Sequence, residues 1–435
     1  MLRCDSRKVK EGDTFLAIKG ATYDGHDYIK DAIEAGAKKV IVEHGTYSVE
    51  TEVVPSTKEY LTQYLRRKDI PIKIIGVTGT NGKTTTCFLI WQLFRLLSIP
   101  CSYIGTLGFY IDKKEFDLKN TTPGFIELYK LLKKSVEAKC EYVVMEVSSQ
   151  ALDQGRVDFL DFDFAIFTNL TQDHLDYHKS MEKYLKAKQQ LFLKVKETGI
   201  SIVNKDDPCA SYFEIGNYVT YGYSNSDYQI MEEANSFKVN EEEYQMSLLG
   251  KYNIYNMVAA ICLFYQLGYN YSELKEKIML CHSPEGRMDV IEYGTNKIII
   301  DYAHTPDALE NILDCVNDLK HKKVITVVGC GGDRDKGKRP IMGELATRKS
   351  DYVIFTSDNP RSENPLRILK DIVNGVDNVN YEIEVNREEA IKKGIHFLTK
   401  DDILLVLGKG HEKYQIIGTE KIFFDDKKIV LDNII

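Results

Sequence analysis

Residues 72–86, IKIIGVTGTNGKTTT, run from an apolar segment through a glycine-rich turn towards a second apolar segment at residues 88–97. The isoleucines and valine at residues 72–77 suit a buried strand, and the apolar residues at 88–97 supply the buried side of a following helix. The stretch therefore predicts a strand, a tight turn and a helix.

The turn itself has the composition of a phosphate-binding loop. Gly79 and Gly82 can adopt backbone angles that direct successive N–H groups at an anion, at a helix start whose dipole favours negative charge. Lys83 can then reach terminal phosphates, and the Thr84 hydroxyl can ligate magnesium. The loop reads G-T-N-G-K-T, a shorter form of G-x-x-x-x-G-K-[ST], because Val77 stands where that pattern has its first glycine. The alternative is an ordinary strand-to-helix turn.

Length and composition indicate a globular protein of about three domains. Of its 435 residues, 43% are hydrophobic and 28% charged. No apolar run approaches the roughly 18 residues of a membrane span, so no membrane span is expected. Charged residues interrupt the first eight positions, and no signal peptide is predicted.

The nine cysteines are scattered and include no C-x-x-C pair. Neither a disulfide framework nor a zinc site is therefore predicted, and a cytoplasmic location is expected. The net charge of -8 argues against nucleic acid as a partner. We expect a monomer that binds small molecules.

Residues 1–70 alternate short apolar stretches, at 14–18 and 40–42, with a helix-like run at 28–35, and predict a small α/β domain. Two polar clusters, Asp5-Ser6-Arg7 and Asp24-Gly25-His26, lie in loop-like surroundings that could meet a ligand. Taken alone, each is more typical of turn chemistry than of a binding site.

Residues 71–286 alternate strands and helices, with apolar strands at 142–147, 164–168 and 201–203. This alternation predicts a mostly parallel sheet covered by helices, with ligands beyond the carboxyl ends of its strands. Glu146, Asn169, Asp173 and His174 occur there, and a carboxylate or imidazole level with a phosphate loop can hold a bridging metal. A lone loop histidine is the alternative for His174.

Lys188 is unexpected, because it falls in the apolar stripe of a helix predicted from about residue 181 to 195. Tyr184, Leu191, Phe192 and Val195 form that stripe. A lysine on a buried face must extend its amine to solvent, pair with a carboxylate or lose its charge, and the pattern leaves all three open.

Beyond residue 286 the alternation begins again, with apolar strands at 297–300, 324–328, 352–355 and 403–407. Each strand is followed by a polar cluster, and the four clusters begin at Asp301, Gly329, Thr356 and Gly408. Four clusters at one sheet edge predict a second ligand-binding face over residues 287–435.

Nine segments occur in a specific order: GTNGKTTT, EVSSQALDQGRV, TNLTQDHLDYH, YLKAKQQLF, GRMD, DYAHTPDALE, GCGGDRDKGKRP, DNPRSENP and GKGHEKYQ. In this order they closely resemble the Mur ligases over nearly the whole chain. The resemblance implies an α/β protein of three domains: a UDP-substrate domain at 1–70, a central P-loop ATPase at 71–286 and a Rossmann-like amino-acid domain at 287–435.

Matched residue by residue, the resemblance also implies the site. Lys83, Glu146, His174 and Lys188 would be catalytic, with Thr84, Glu146, His174 and a carbamylated Lys188 holding two Mg²⁺ ions. The contacts to ATP would come from Gly79, Thr80, Asn81, Gly82, Lys83, Thr84, Thr85, Asn253, Arg287 and Asp301. The contacts to the substrates would come from Ser6, Thr121, Thr122, Ser148, Gln154, Arg156, His304, Arg334, Asp358, Asn359, Pro360, Arg361, Gly408 and Glu412.

The implied reaction joins an amino acid to UDP-N-acetylmuramoyl-L-alanyl-D-glutamate through an acyl phosphate made with ATP. Arg361 in the DNPR segment resembles the residue that selects meso-2,6-diaminopimelate, because a guanidinium pairs with a distal carboxylate in bidentate fashion. Glu412 would take the distal ammonium. The alternative for Arg361 is an ion pair within the protein.

Two departures from the family pattern affect these expectations. The segment Asp5-Ser6-Arg7 lies close to the start of the sequence, which predicts a trimmed uridine domain, and Gln150 replaces a histidine common in relatives. The alternatives to this reaction are a ligase for L-lysine or another diamino diacid, a folylpolyglutamate synthetase and a non-catalytic nucleotide-binding protein. The segments DNPR and GKGHE argue against a folylpolyglutamate synthetase. A non-catalytic protein is disfavoured because the chain retains Lys83, Glu146, His174 and Lys188.

Overall fold

The chain forms three successive α/β units, each built on its own sheet. The computed structural model describes residues 1–20, 23–66, 70–233, 236–319 and 321–434. Among these residues no helix is both long and apolar enough to cross a membrane.

The first unit is a parallel sheet of four short strands in the order β1-β2-β3-β4. Its elements are β1 Leu2–Arg3, β2 Thr14–Leu16, α1 Ile29–Glu34, β3 Lys39–Val42, β4 Glu50–Val53 and α2 Thr57–Arg66. Both predicted strands and the predicted helix are present. Leu16, Ile41, Leu61 and Leu65 share one hydrophobic cluster with the second unit, so the first two units pack directly together.

The second unit is an eleven-stranded sheet in the order β15-β14-β13-β12-β11-β10-β5-β9-β6-β7-β8, and its interior is parallel. Its elements are β5 Lys73–Thr78, α3 Lys83–Leu96, β6 Cys101–Gly105, β7 Gly108–Tyr110, β8 Lys114–Phe116, α4 Phe125–Glu137, β9 Tyr142–Glu146, α5 Ser149–Asp153, β10 Phe162–Phe167, α6 Leu175–His178, α7 Met181–Gln189, β11 Val195–Asn204, β12 Tyr218–Gly222, β13 Tyr228–Glu232, β14 Phe237–Val239, β15 Glu242–Tyr244, α8 Lys251–Gln266 and α9 Tyr271–Met279.

The position of β5 explains where the site forms. β5 lies between β9 and β10 and is parallel to both, with Val77 paired to Glu146 and Thr78 paired to Phe167. The chain leaves β5 through α3 to one side of the sheet and later returns to the other side at β10. The phosphate loop, the end of β9 and the loop after β10 therefore meet at one edge, where parallel sheets bind ligands.

The third unit is a six-stranded sheet in the order β16-β17-β21-β18-β19-β20, in which only β16 is antiparallel. Its elements, with a separate two-stranded hairpin, are β16 Asp289–Tyr293, β17 Asn296–Asp301, α10 Pro306–Asn317, β18 Val324–Val328, α11 Lys338–Lys349, β19 Tyr352–Phe355, α12 Pro365–Val373, β20 Tyr381–Ile383, α13 Arg387–His396, β21 Ile403–Leu407, β22 Tyr414–Ile417, β23 Glu420–Phe423 and α14 Asp426–Ile434. The strands that precede the four polar clusters are neighbours and run in the same direction, as predicted.

One predicted element was too long. The helix expected over residues 181–195 ends at Gln189, a short 3-10 turn covers Phe192–Lys194, and Val195 begins β11. Leu191 and Phe192 are still buried, so their apolar side chains serve the same core from a different backbone conformation. The spacing of the apolar residues alone could not distinguish a continuous helix from a helix followed by a turn and a strand.

The predicted domain boundaries at residues 70/71 and 286/287 fall in the connections between α2 and β5 and between α9 and β16. They lie between successive sheets. We propose them as the limits of the three domains.

A buried ion pair secures the end of the chain to the third sheet. Arg387 Nε and Nη2 donate to the Asp426 carboxylate at 2.9 and 2.7 Å, both side chains are fully buried, and Nη2 also donates to the Leu407 carbonyl. Asp426→Asn leaves the buried guanidinium without its counter-charge and is expected to cost about 3 kcal/mol or more of unfolding free energy. Urea unfolding measures this loss, with the exposed Asp432→Asn as the control. Equal midpoints for the two variants would contradict it.

Candidate active site

The phosphate loop has the geometry that its glycines require. Gly82 has a φ of 84°, and a Cβ there would lie 2.5 Å from Asn256 Oδ1. Lys83 is the first residue of α3 and its Nζ donates to the carbonyls of Gly79 and Thr80 at 2.9 and 2.7 Å. Burial lowers the pKa of Lys83. The loop therefore surrounds one lysine amine with backbone, at the amino end of a helix.

Glu146 at the end of β9 is a buried carboxylate held by neutral donors. Tyr103 Oη donates to its Oε1 at 2.6 Å, and Thr84 Oγ1 donates to its Oε2 at 2.9 Å. Thr106 donates from its backbone N–H at 2.8 Å and from its hydroxyl at 3.1 Å. The Glu146 side chain makes no salt bridge with any residue in the described part of the chain. A buried, hydrogen-bonded carboxylate beside a threonine hydroxyl is the donor set that a hard cation prefers.

Lys188 is buried at the phosphate loop, with 1% of its surface exposed. Its Nζ donates to the Gly79 carbonyl at 2.6 Å and lies 4.5 Å from the centre of the Tyr184 ring. It has no carboxylate partner among the described residues, and its amine does not reach solvent. Burial, followed by the nearby Lys83 charge, lowers the pKa of Lys188 well below its usual value. Of the three alternatives, the structure therefore favours loss of the charge over an ion pair or an amine that extends to solvent.

His174 is the N-cap residue immediately before α6 and has a left-handed conformation, with a φ of 55°. Its side chain lines the same space as the phosphate loop. Burial lowers the pKa of His174 to about 3, although the neighbouring Asp173 raises it. The imidazole is therefore neutral at physiological pH, as metal ligation requires. Within the described residues no three His, Cys, Asp or Glu side chains group closely enough to hold a metal by themselves. A metal here would need the mixed set of Thr84, Glu146, His174 and Lys188.

A cavity of about 580 Å³ joins these residues to the third unit. The predicted residues that line it are Thr80, Asn81, Gly82, Lys83, Thr84, Thr85, Thr121, Thr122, Glu146, Ser148, Gln154, Arg156, His174, Lys188, Arg287, His304, Arg334, Asp358, Asn359, Arg361, Gly408 and Glu412. Gln150 lines it as well. The same cavity is therefore lined by residues from two sheet edges, which are up to about 330 positions apart in sequence.

A second cavity of about 390 Å³ lies on the other side of the phosphate loop. Asn253 and Asp301 line it, and Asn81, Gly82, Thr85 and Arg287 line both cavities. Ser6, Gly79 and Pro360 line neither. Gly79 still contacts Lys83 and Lys188 through its carbonyl. Ser6 lies in a 3-10 turn that Asp5 caps, which agrees with the turn interpretation of that cluster.

The part of the large cavity formed by the third unit has cations at one place and a carboxylate at another. Arg361 Nη1 donates to the Gly332 carbonyl at 2.7 Å, and neither Arg361 nor Arg334 pairs with an acidic group among residues whose placement is described. Burial and the nearby Arg334 charge lower the pKa of Arg361. Two guanidinium groups without a protein carboxylate favour an anionic ligand, and the internal ion-pair alternative for Arg361 is not observed.

Glu412 is held in place by the protein. Asn359 Nδ2 and Lys409 Nζ donate to its Oε2 at 2.9 and 3.2 Å. Lys409 is fully buried and also donates to Asn359 Oδ1. The sequence drew attention to the segment but assigned no role to Lys409, since a lysine between two glycines gives no signal of burial.

The third unit contacts both the phosphate loop and the loop after β10. Asn81 Nδ2 donates to Asp307 at 2.6 Å, and Arg287 Nη2 lies 3.4 Å from the Thr84 hydroxyl. Asp173 lies 3.5 Å from Lys338 Nζ. Sequence reasoning gave Asp307 and Lys338 no role, because such contacts appear only when distant segments meet.

Three family models match the chain. They are the Mur ligase family catalytic domain over residues 1–74, the Mur ligase middle domain over 77–264 and the Mur ligase glutamate ligase domain over 286–410. Two solved structures under 25% identical share the fold: the MurF ligase of Thermotoga maritima in complex with ADP, with a TM-score of 0.69, and a folylpolyglutamate synthase/dihydrofolate synthase of Yersinia pestis complexed with AMPPNP and Mn, with a TM-score of 0.64. The MurF ligase is 20% identical, and the match covers 100% of this chain and 96% of that one. The synthase is 18% identical, and the match covers 80% of this chain and 90% of that one.

The chain is more similar in sequence to a set of proteins that share one name. The UDP-N-acetylmuramoyl-L-alanyl-D-glutamate--2,6-diaminopimelate ligases of Fusobacterium nucleatum and Clostridium perfringens are each 42% identical, with 99% of this chain covered and 93% and 94% of theirs. A solved structure with that name is 32% identical, covers 100% of this chain and 94% of its own, and has a TM-score of 0.70. From the arrangement of its three α/β units, its phosphate loop and these matches, the chain belongs to the Mur ligase family.

Proposed function

We propose that the protein is an ATP-dependent ligase that adds meso-2,6-diaminopimelate to UDP-N-acetylmuramoyl-L-alanyl-D-glutamate in peptidoglycan synthesis. The observation that carries the proposal is one cavity in which a phosphate loop faces the held carboxylate of Glu412 and two guanidinium groups that pair with no carboxylate among the described residues. The relatives that bear this activity in their names, at 42% identity over nearly the whole chain, support it.

In the first step the free carboxylate of the UDP substrate attacks the γ-phosphorus of ATP, and ADP leaves with the electrons of the broken P–O bond. Thr121, Thr122 and Arg156 lie where they can hold the peptide part of the substrate. Lys83 and the amide groups at the start of α3 offset charge on the phosphates. Asn253, Asp301 and Arg287, around the second cavity, would contact the nucleotide.

The residues fit two divalent cations, as the chemistry of the donor set indicates. Thr84, Glu146, His174 and Lys188 would hold these ions. Bound magnesium would neutralise the crowded phosphate and carboxylate oxygens. For Lys188 to take part it must become an anion, and a buried neutral amine is the form that adds carbon dioxide to give a carbamate. The lowered pKa of Lys188 supports this modification.

In the second step the amine of the incoming amino acid attacks the acyl carbon, the amide bond forms, and inorganic phosphate leaves while the nitrogen loses a proton. Arg334 and Arg361 would bind the distal carboxylate, and Glu412 would accept hydrogen bonds from the distal ammonium. Asn359, Gly408 and the neighbouring Asp358 shape this side of the cavity. Both steps require the exclusion of water, which the contacts of the third unit with the phosphate loop favour.

The remaining assignments rest on the resemblance to the family. The first unit would bind the uridine end of the substrate, with Ser6 as a contact, and His304 would lie near the reacting groups. We expect the enzyme to act as a monomer in the cytoplasm. These assignments are predictions, and an assay with the UDP substrate tests whether the protein uses it.

The test is phosphate release from ATP with UDP-N-acetylmuramoyl-L-alanyl-D-glutamate, comparing meso-2,6-diaminopimelate with L-lysine. We expect phosphate release to depend on the UDP substrate and to be at least about 100-fold more efficient with the diamino diacid, because lysine leaves two guanidinium groups unpaired. Preference for lysine would keep the ligase and overturn the assignment of Arg361. No release with any diamino acid would overturn the ligase itself.

A further inference from the structure

A buried lysine of the third unit faces the phosphate loop without a role in the mechanism described above. Lys338 is 4% exposed and lines the large cavity together with Lys83, Lys188 and His174. It reaches this space from the other sheet, since it is the first residue of α11. We propose that Lys338 is a further catalytic residue, whose ammonium contacts an oxygen of the phosphoryl group during its transfer. The inference rests on the proposed ligase function.

The ionic surroundings of Lys338 leave its ammonium able to bind another anion. Its one ion pair in the described part of the chain is with Asp173, at 3.5 Å from Nζ to Oδ1. That distance exceeds the 2.7–2.9 Å or so of a charge-assisted hydrogen bond, and an ammonium has three donors. Among the described residues Lys338 makes no hydrogen bond through Nζ, whereas both terminal nitrogens of the adjacent Arg339 donate to Glu363, Asp371 or the Gly331 carbonyl.

Asp173 is shared, so it does not neutralise Lys338 alone. Its carboxylate also lies 3.4 Å from His174 Nε2 and 3.8 Å from His304 Nε2. Its backbone neighbour His174 donates an N–H to it at 2.8 Å. One carboxylate therefore holds side chains from two units at the point where they meet, and it orients Lys338 towards the cavity.

The position of Lys338 on its helix agrees with an anionic ligand. A cation at the amino end of a helix is unfavourable, because the helix dipole is positive there. Gly337 at the N-cap supplies no side chain to the first turn of α11. A phosphoryl oxygen would offset both the lysine charge and the dipole. Since Lys83 lies on the central sheet and Lys338 on the third sheet, the transferred group would contact cations from both sides only when the two units are together.

The test separates the first chemical step from the amino acid. In ATP labelled with ¹⁸O at the β–γ bridge, reversible formation of the acyl phosphate moves label to non-bridging β positions when the UDP substrate is present and no amino acid is added. Lys338→Met is expected to slow this exchange about 100-fold, as the loss of one positioned donor does. Lys338→Arg, which keeps the charge, is expected to recover part of the rate. Lys349→Met, in the last turn of the same helix, is the control.

Each outcome has a distinct meaning. Exchange by Lys338→Met within about threefold of the wild-type rate would overturn the role of Lys338, whether or not the KM for the diamino acid rises. A lowered thermal midpoint with an unchanged exchange rate would mean that the residue is structural, which also overturns it. If Lys338→Met does not fold, Lys338→Gln is measured with the same criteria. Absence of exchange in the wild-type protein would overturn the proposed function itself.

Discussion

Lys188→Ala is expected to abolish ligation, with a loss of at least about 1,000-fold in kcat, because it removes the group that would become an anionic metal ligand at the phosphate loop. Added bicarbonate is expected not to restore activity, since alanine has no amine to carbamylate. In the wild-type protein, ¹³C-labelled bicarbonate is expected to give a carbamate carbonyl signal by NMR, and the variant is expected to lack it.

The matched control for this experiment is Lys186→Ala. Lys186 is on the same helix, α7, but it is 66% exposed and pairs with Glu182 at 2.6 Å. Its loss is expected to leave ligation within about twofold of the wild-type rate, because surface ion pairs contribute little. Substantial ligation by Lys188→Ala would contradict the carbamate role, as would a carbamate signal that persists in that variant.

Arg361→Ala is expected to raise the KM for meso-2,6-diaminopimelate about 100-fold or more and to leave the KM values for ATP and the UDP substrate nearly unchanged. The reason is that a bidentate contact to the distal carboxylate is lost while Arg334 remains. Arg361→Lys is expected to recover little of the loss, because an ammonium cannot reproduce the planar pair of donors. Steady-state kinetics with each substrate varied in turn measures the effect.

The control for Arg361 is Arg367→Ala, an exposed arginine in α12 that is expected to have wild-type kinetics. The Arg361→Ala variant also tests the selectivity between the two amino acids. Without Arg361 the discrimination against L-lysine should fall, since lysine has no distal carboxylate to lose. An Arg361→Ala enzyme that keeps both its KM for the diamino diacid and its selectivity would mean that Arg334 and Glu412 define the site without it.

Much of the fold could be predicted because the strands are strongly apolar. The predicted strands at 324–328, 352–355 and 403–407 coincide with β18, β19 and β21, in which every residue except the partly buried Tyr352 is buried. Fully buried parallel strands appear as continuous apolar runs, so their limits are clear. The helix over residues 181–195 was overextended because apolar residues at its end suit a core in more than one conformation.

The candidate site was predicted to a comparable extent, since its motifs have fixed spacings. The sequence drew attention to the phosphate loop and Glu146 at the ends of neighbouring strands, to His174 in the loop after β10 and to Lys188 on a helix, and in the structure all of them line one cavity. It assigned no role to Lys338, Asp307 or Lys409, whose partners are Asp173, Asn81 and Glu412. The first two pairs join residues more than 160 positions apart, and no local pattern encodes such contacts.

The sequence by itself determined the three α/β units and the residues that surround each strand end, because apolar periodicity and glycine-rich turns act over a few residues. Only the tertiary structure decided that Lys188 is buried, and that neither it nor Arg334 nor Arg361 pairs with a carboxylate among the described residues. Burial and charge pairing depend on which distant segments pack together. For this reason the chemical state of a lysine and the free charge of an arginine follow from the folded chain.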